Sequence, residues 1–199
     1  DPSGTYAVIA DFGNHRIRKI VLATGEVTTL AGSGYYGFQE GTGTSARFKS
    51  PSGIDIDPSG TYAVVADYRN HRIRKISVVT NATCGSQSNY TGRCVTTFAG
   101  SGAIGGKDGT GAQAQFNRPY GMTIDNHDNL YVVDRGGRKV RKIDPQGHVT
   151  TLAGSGANSD TVGPGPTATF SDPRAITYGP NRVLYILSTS ALMRKLPLP

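Results

Sequence analysis

Apolar residues in this chain fall in short runs, not in the three-to-four spacing of an amphipathic helix. Tyr6-Ala-Val-Ile-Ala10 and Tyr62-Ala-Val-Val-Ala66 are apolar without a break, and Tyr131-Val-Val133 and Tyr185-Ile-Leu187 are shorter versions. Such runs predict strands buried on both faces. Each leads into a polar turn, as in Asp11-Phe-Gly-Asn-His15 and Asp67-Tyr-Arg-Asn-His71. Gly, Asn and Asp tolerate the backbone angles of a tight hairpin. After the turn, Ile alternates with Arg and Lys: Arg16-Ile-Arg-Lys-Ile20, Arg72-Ile-Arg-Lys-Ile76, Lys139-Val-Arg-Lys-Ile143 and, more loosely, Met193-Arg-Lys-Leu196. The pattern therefore predicts one strand–turn–strand unit, used four times.

The repeat extends beyond this hairpin. Thr28-Thr-Leu-Ala-Gly-Ser-Gly34 returns at 96–102 and 150–156, and Phe48-Lys-Ser-Pro-Ser-Gly-Ile54 returns at 116–122 and 170–176. Asp11 to Asp67 is 56 residues, Asp67 to Asp134 is 67, and Asp134 to the matching Ser188 is 54. A period in this range signals a repeat architecture. Each unit offers four short antiparallel strands, which is the blade of an all-β propeller. The units are a partial blade over 1–34, blades over 51–100 and 119–154, and a partial blade over 173–198. The first unit lacks its innermost strand and the last stops after its third, so 14 strands are expected. Two arrangements fit: an ordered partial propeller of about 3.5 blades within a longer protein, or a strained four-bladed ring.

The ordered phrases Phe-x-x-Pro-x-Gly-Ile, Tyr-Val-Val-Asp and Asn-His-Arg-Ile-Arg-Lys-Ile resemble NHL repeats over nearly the whole chain. Asn14-His15-Arg16 and Asn70-His71-Arg72 stand where that family has Asn-His-Leu, and Gly137-Arg138-Lys139 stands there in the third copy. The resemblance implies the propeller; it does not by itself imply an activity, because one fold hosts many functions. Some NHL propellers bind RNA. A lyase family with an NHL-like propeller holds zinc with histidines in its channel, but the innermost strands 53–57, 121–125 and 175–178 carry no histidine.

Charge sharpens the partner question. The net charge is +7, and 14 of the 21 Lys and Arg lie in the windows 11–20, 67–76, 134–143 and 188–197. The basic character therefore belongs to one strand position per blade. The expected arrangement is that these side chains lie over the blade with their heads in water, some pairing with Asp11, Asp67 and Asp134. The alternative is a polyanion surface using Arg18, Arg74, Arg138 and Arg141. Trp is absent, and no base-stacking aromatic motif accompanies the charges.

The second unit is longer because of Val79-Thr-Asn-Ala-Thr-Cys-Gly-Ser-Gln-Ser-Asn-Tyr-Thr-Gly-Arg-Cys94. It holds both cysteines, Cys84 and Cys94, and two N-glycosylation acceptor sequences, at Asn81 and Asn89. A disulfide closing a loop of this size contributes roughly 2–3 kcal/mol in the chain-entropy picture, and disulfides persist in oxidising compartments. The expectation is an extracellular or secretory-lumen glycoprotein.

Candidate chemistry is sparse. Gly-rich loops follow each outermost strand. Tyr35, Tyr36 and Phe38 in the first loop and Lys107 and Asp108 in the second are the candidate binding residues, since such loops line one propeller face. No Gly-x-x-x-x-Gly-Lys motif, nucleophile elbow or Cys-x-x-Cys is present. His15 and His71 occupy equivalent turns, and His127 and His148 lie in other polar turns. Asp55, Asp57 and Asp125 are expected to accept backbone amides at strand ends, with a cation held in the channel as the alternative. The reading is a non-enzymatic interaction module without metal or cofactor. Its partners would be protein or glycan, copies of itself, or the rest of a longer chain, with no membrane span.

Overall fold

The computed structural model describes residues 1–79, 92–189 and 192–198. Four antiparallel sheets follow one another along the chain. The first contains β1 (Tyr6–Asp11), β2 (Arg16–Val21) and β3 (Val27–Ala31). After β4 (Gly41–Thr42), the second sheet contains β5 (Pro51–Ile56), β6 (Tyr62–Asp67), β7 (Arg72–Ser77) and β8 (Cys94–Ala99), and β4 pairs on the outer edge of β8. After β9 (Gly109–Thr110), the third sheet repeats this with β10 (Pro119–Ile124), β11 (Leu130–Asp134), β12 (Lys139–Ile143) and β13 (His148–Ala153), β9 pairing on β13. The fourth contains β14 (Pro173–Gly179), β15 (Val183–Ser188) and β16 (Met193–Pro197). The units are propeller blades, two complete and two three-stranded. The pattern of hydrophobic runs did not predict β4 and β9, which are Gly-Thr pairs inside the Gly-rich loops with no side-chain alternation to reveal them.

Each hairpin keeps its register: Asp11 faces Arg16, Asp67 faces Arg72 and Asp134 faces Lys139. One apolar core lies between each pair of neighbouring blades. Ile17, Phe48, Val65 and Ile76 share the first core, Val64, Phe116, Val132 and Ile143 the second, and Val133, Phe170, Leu184 and Ile186 the third. In β6 and β11 successive residues point alternately into two cores, so both faces are buried as the unbroken runs predict.

The outer blades depart from that expectation. In β1, Val8 and Ala10 pack into the first core while Ile9 is 43% exposed. In β15, Leu184 and Ile186 are buried while Leu187 is 44% exposed. A partial propeller is expected to leave Val8, Ile9, Ile186 and Leu187 uncovered at its ends; Val8 and Ile186 instead turn inward to the neighbouring blade, while Ile9 and Leu187 face out. The two-residue period of a strand gives each end blade one covered and one open face. A ring closed within this chain would cover both.

Close approach of innermost strands explains the glycine of Pro-x-Gly. A Cβ on Gly53 would lie 2.3 Å from the carbonyl oxygen of Tyr120, and one on Gly121 2.3 Å from that of Arg174. The matching Ala175 is exposed and carries its methyl without conflict.

Candidate functional site

The end of the propeller where the β6–β7 and β11–β12 hairpins turn is built on a repeated polar frame. Asp67 accepts the Lys49 N–H at 2.8 Å, the Asn70 amide at 2.8 Å and Arg74 Nη1 at 3.1 Å. Asp134 accepts the Asn117 N–H at 2.7 Å and Arg141 Nη1 at 3.4 Å. Arg74 also donates to Gln39 O, and Arg141 to Lys107 O and Asp108. Their guanidiniums lie 5.5 Å over Phe48 and 5.1 Å over Phe116, and Arg194 repeats the contact with Phe170 at 5.4 Å. The pairing of Arg18, Arg74 and Arg141 with Asp11, Asp67 and Asp134 agrees with the sequence reading.

Their exposure does not. Arg74 and Arg141 are fully buried, because the preceding inter-blade loop closes over each pair. Neither can reach a polyanion, so two of the four residues of that alternative are removed. Arg18 remains half-exposed beside Asp11, and Arg138 remains at the surface turn. Burial pushes the Asp67 carboxyl above its usual range and Asp134 up to about 7, against the lowering by backbone N–H donors and arginine.

The Asn-His dipeptide ties blades together. His15 and His71 adopt left-handed backbone, with φ of 56° and 55°. Their Nδ1 atoms accept the N–H of Ser50 at 3.2 Å and of Arg118 at 3.1 Å, each on the next blade. Arg16 and Arg72 donate to the carbonyls of Ser33 and Ser101 in the Ala-Gly-Ser-Gly phrase. The recurrent residues are thus used by the scaffold.

Positions that differ between repeats meet on this same end. Phe12, Tyr68 and Arg135 each follow the hairpin Asp, and Ser52, Tyr120 and Arg174 each follow the blade-entry Pro. Tyr68 packs 5.8 Å from Phe12 and 5.6 Å from Tyr120. Arg135 donates to the Tyr68 hydroxyl at 3.1 Å and lies 5.4 Å over the Tyr120 ring. It forms a two-point ion pair with Asp172, which also accepts Arg174 at 2.9 Å. Beside this cluster is a cavity of about 570 Å³, walled by Tyr68, Ile104, Arg118, Arg138, Asn158 and Asp172. A contiguous cleft of about 360 Å³ shares Tyr68 and Arg118 and adds Lys49, Arg69 and His71.

These central residues were not among the sequence candidates. The signal available was the contrast between fixed and variable positions in the aligned repeats. Tyr35 and Tyr36 do project strongly, at 73% and 69% exposure, and Phe38 is partly exposed against Arg72. Lys49 stands 5.7 Å over Tyr36, joining that loop to the cleft. Asp108 is held by the scaffold, accepting Arg141, the Thr151 N–H and the Thr151 hydroxyl. Lys107 is exposed beside it.

At the opposite end of the strands, Asp57 and Asp125 accept the backbone amides of their turns, as anticipated. Asp55 accepts Ile56 N–H and, across the blade interface, Ile124 N–H, both at 2.9 Å. Among the described residues no group of His, Cys, Asp or Glu is arranged to hold a metal, and no helix is long and apolar enough to cross a membrane. The 79–94 insertion joins β7 to β8 at this opposite end. Asn81, Cys84 and Asn89 lie outside the described residues, so the Cys84–Cys94 bond and both glycosylation positions remain expectations.

The chain is 32% identical over 154 residues to NHL repeat-containing protein 2 of Bos taurus, covering 73% of this chain and 20% of that protein. The chain belongs to the NHL-repeat propeller family. This NHL chain is also 28% identical over 195 residues to the protein SUPPRESSOR OF QUENCHING 1, chloroplastic, of Arabidopsis thaliana, covering 96% of the chain and 18% of that protein. Among solved structures, a Bacteroides thetaiotaomicron protein of unknown function superposes with a TM-score of 0.75 at 26% identity, over 98% of this chain and 45% of that one. No protein-family model matches. The NHL chain spans about a fifth of the length of the curated relatives it matches.

Proposed function

We propose that this NHL propeller is an extracellular, N-glycosylated interaction module that presents the hairpin end to a protein or glycan partner. One observation carries the reading. Recurrent residues are consumed in holding blades together, while variable ones, Phe12, Tyr68, Tyr120 and Arg135, gather beside a cavity on one face. Aromatic and arginine side chains in partly desolvated pockets are the usual anchors of recognition. Sugars on Asn81 and Asn89 would be carried by the connection between β7 and β8, whose described ends, Ser77 and Cys94, lie away from this face. The open end faces, with Ile9 and Leu187 uncovered, would meet further protein, either more of the same polypeptide or copies that add in series.

Mass spectrometry of peptides from the secreted chain tests the compartment: hexose-bearing Asn81 or Asn89 and a Cys84–Cys94 cross-link are expected. Unmodified asparagines with both thiols reduced would overturn it. For the face, Tyr120→Ala with Arg135→Ala should abolish partner capture while Lys19→Gln, at the opposite end, leaves it intact. Equal loss from all three substitutions would defeat the assignment.

A further inference from the structure

The cavity on the hairpin end has a charge pattern that narrows its ligand. Arg118, at the entry to the third blade, and Arg138, in its β11–β12 hairpin, line it, and Lys49 and Arg69 of the second blade line the adjoining cleft. None of these four makes an ion pair among the described residues. The acid at the cavity wall, Asp172, is already neutralised by Arg135 and Arg174. Four cations thus lie along the cavity and its adjoining cleft, with Arg118 common to both, without a carboxylate of their own. The imidazole of His71 registers this field: burial first, then Arg118, Arg72 and Lys49, hold its pKa below the ordinary histidine value.

Beside the apolar Ile104 and the Tyr68 ring, the remaining lining carries polar groups suited to hydroxyls. Asn117 and Asn158 reach the cavity from the start of the third blade and from the loop after it, and Asp172 retains acceptor capacity beyond its arginine bonds. Tyr68 is only 8% exposed, so its ring does not offer the open stacking platform that a nucleobase uses. The basic groups surround a concave pocket of about 570 Å³ and do not track a phosphate backbone along a groove.

Building on the interaction-module reading, we infer that this cavity binds an acidic sugar: a carboxylate-bearing residue of an oligosaccharide, with Arg118 and Arg138 on the carboxylate and Asn117, Asn158 and Asp172 on its hydroxyls. Charge-assisted bonds from arginine would supply affinity, and the neutral polar groups would set orientation.

Calorimetric titration of the 199-residue chain with tetragalacturonate, maltotetraose, tetraglutamate and a pyrimidine tetranucleotide at one fixed low salt concentration tests this. Tetragalacturonate should bind and maltotetraose should not. Arg118 and Arg138 have φ of 59° and 53°, so each is replaced by Asn, which tolerates left-handed backbone. Each variant should weaken tetragalacturonate about tenfold or more, with an unchanged circular-dichroism melt. Lys19→Gln removes one charge at the far end and should change little. Tetraglutamate or the tetranucleotide binding as tightly would overturn the sugar assignment in favour of an acidic peptide or a general polyanion. Unaltered affinity in both Asn variants would remove the cavity, and absence of binding by all four probes would overturn the inference outright. A chain shown by mass spectrometry to be glycosylated that still ignores tetragalacturonate would defeat this inference and leave the module reading standing.

Discussion

Replacing Arg74 by Met isolates the scaffold's buried charge. The Arg74 and Asp67 side chains are both 0% exposed, and their nitrogen–oxygen distance is 3.1 Å. Methionine keeps most of the volume but leaves Asp67 without its counter-charge, holding only the Lys49 N–H and the Asn70 amide. It also removes the Arg74 bond to the Gln39 carbonyl, which keeps its bond from the Arg47 N–H. Removing one partner of a buried pair costs about 3–5 kcal/mol. The same substitution at Arg18 breaks a pair with 29% and 23% exposure and should cost only about 0–1 kcal/mol. For a chain of this size each kcal/mol shifts the midpoint by roughly 2–4 °C, so Arg74→Met should melt about 6–20 °C lower than the parent and Arg18→Met within a few degrees. Urea unfolding followed by circular dichroism gives the free energies directly. A second check uses pH. The orphaned Asp67 carboxyl is pushed up by burial, so the folded variant binds a proton that the unfolded chain releases. Its deficit should shrink as pH falls and grow as pH rises. Equal costs at Arg74 and Arg18, or a deficit independent of pH, would refute the account of Arg74 as a buried, obligatory counter-ion.

Gly121→Ala should lose about 1–3 kcal/mol in urea unfolding, because its Cβ meets the Arg174 carbonyl, whereas Gly13→Ala, with open space around it, should lose little. His71 accepts the Arg118 N–H in its neutral form and its pKa is lowered by burial and by Arg118, Arg72 and Lys49. The stability it contributes is therefore complete above pH 6.5 and is lost as pH falls from there toward the lower folded value. A flat His71→Gln difference across pH 5–7 would contradict this. Paired Ile9→Lys and Leu187→Lys variants should stay monomeric in sedimentation velocity at concentrations where the parent associates through its open end faces; a monomeric parent would remove that expectation.

Sequence alone determined the blade. Unbroken apolar runs, turn residues after an Asp and a fixed period are local or evenly repeated signals, so strands β6 and β11, their hairpins and the NHL resemblance were all legible. So were the Asp–Arg pairs, because seven residues around a hairpin place the two side chains together. Only the tertiary structure decided how deep each pair lies. Asp11–Arg18 and Asp67–Arg74 read alike, yet an overlying loop and the ring of Phe48 bury one and leave the other half-exposed. The same holds for Ile9 against Val65, which occupy the same position in equivalent apolar runs but differ in whether a neighbouring blade covers that face. The candidate site was the least legible part. Tyr68, Tyr120, Arg135 and Asp172 come from three different blades and share no motif. They meet because the blades turn equivalent ends toward one side, and that is a property of how the blades pack, which no single repeat encodes.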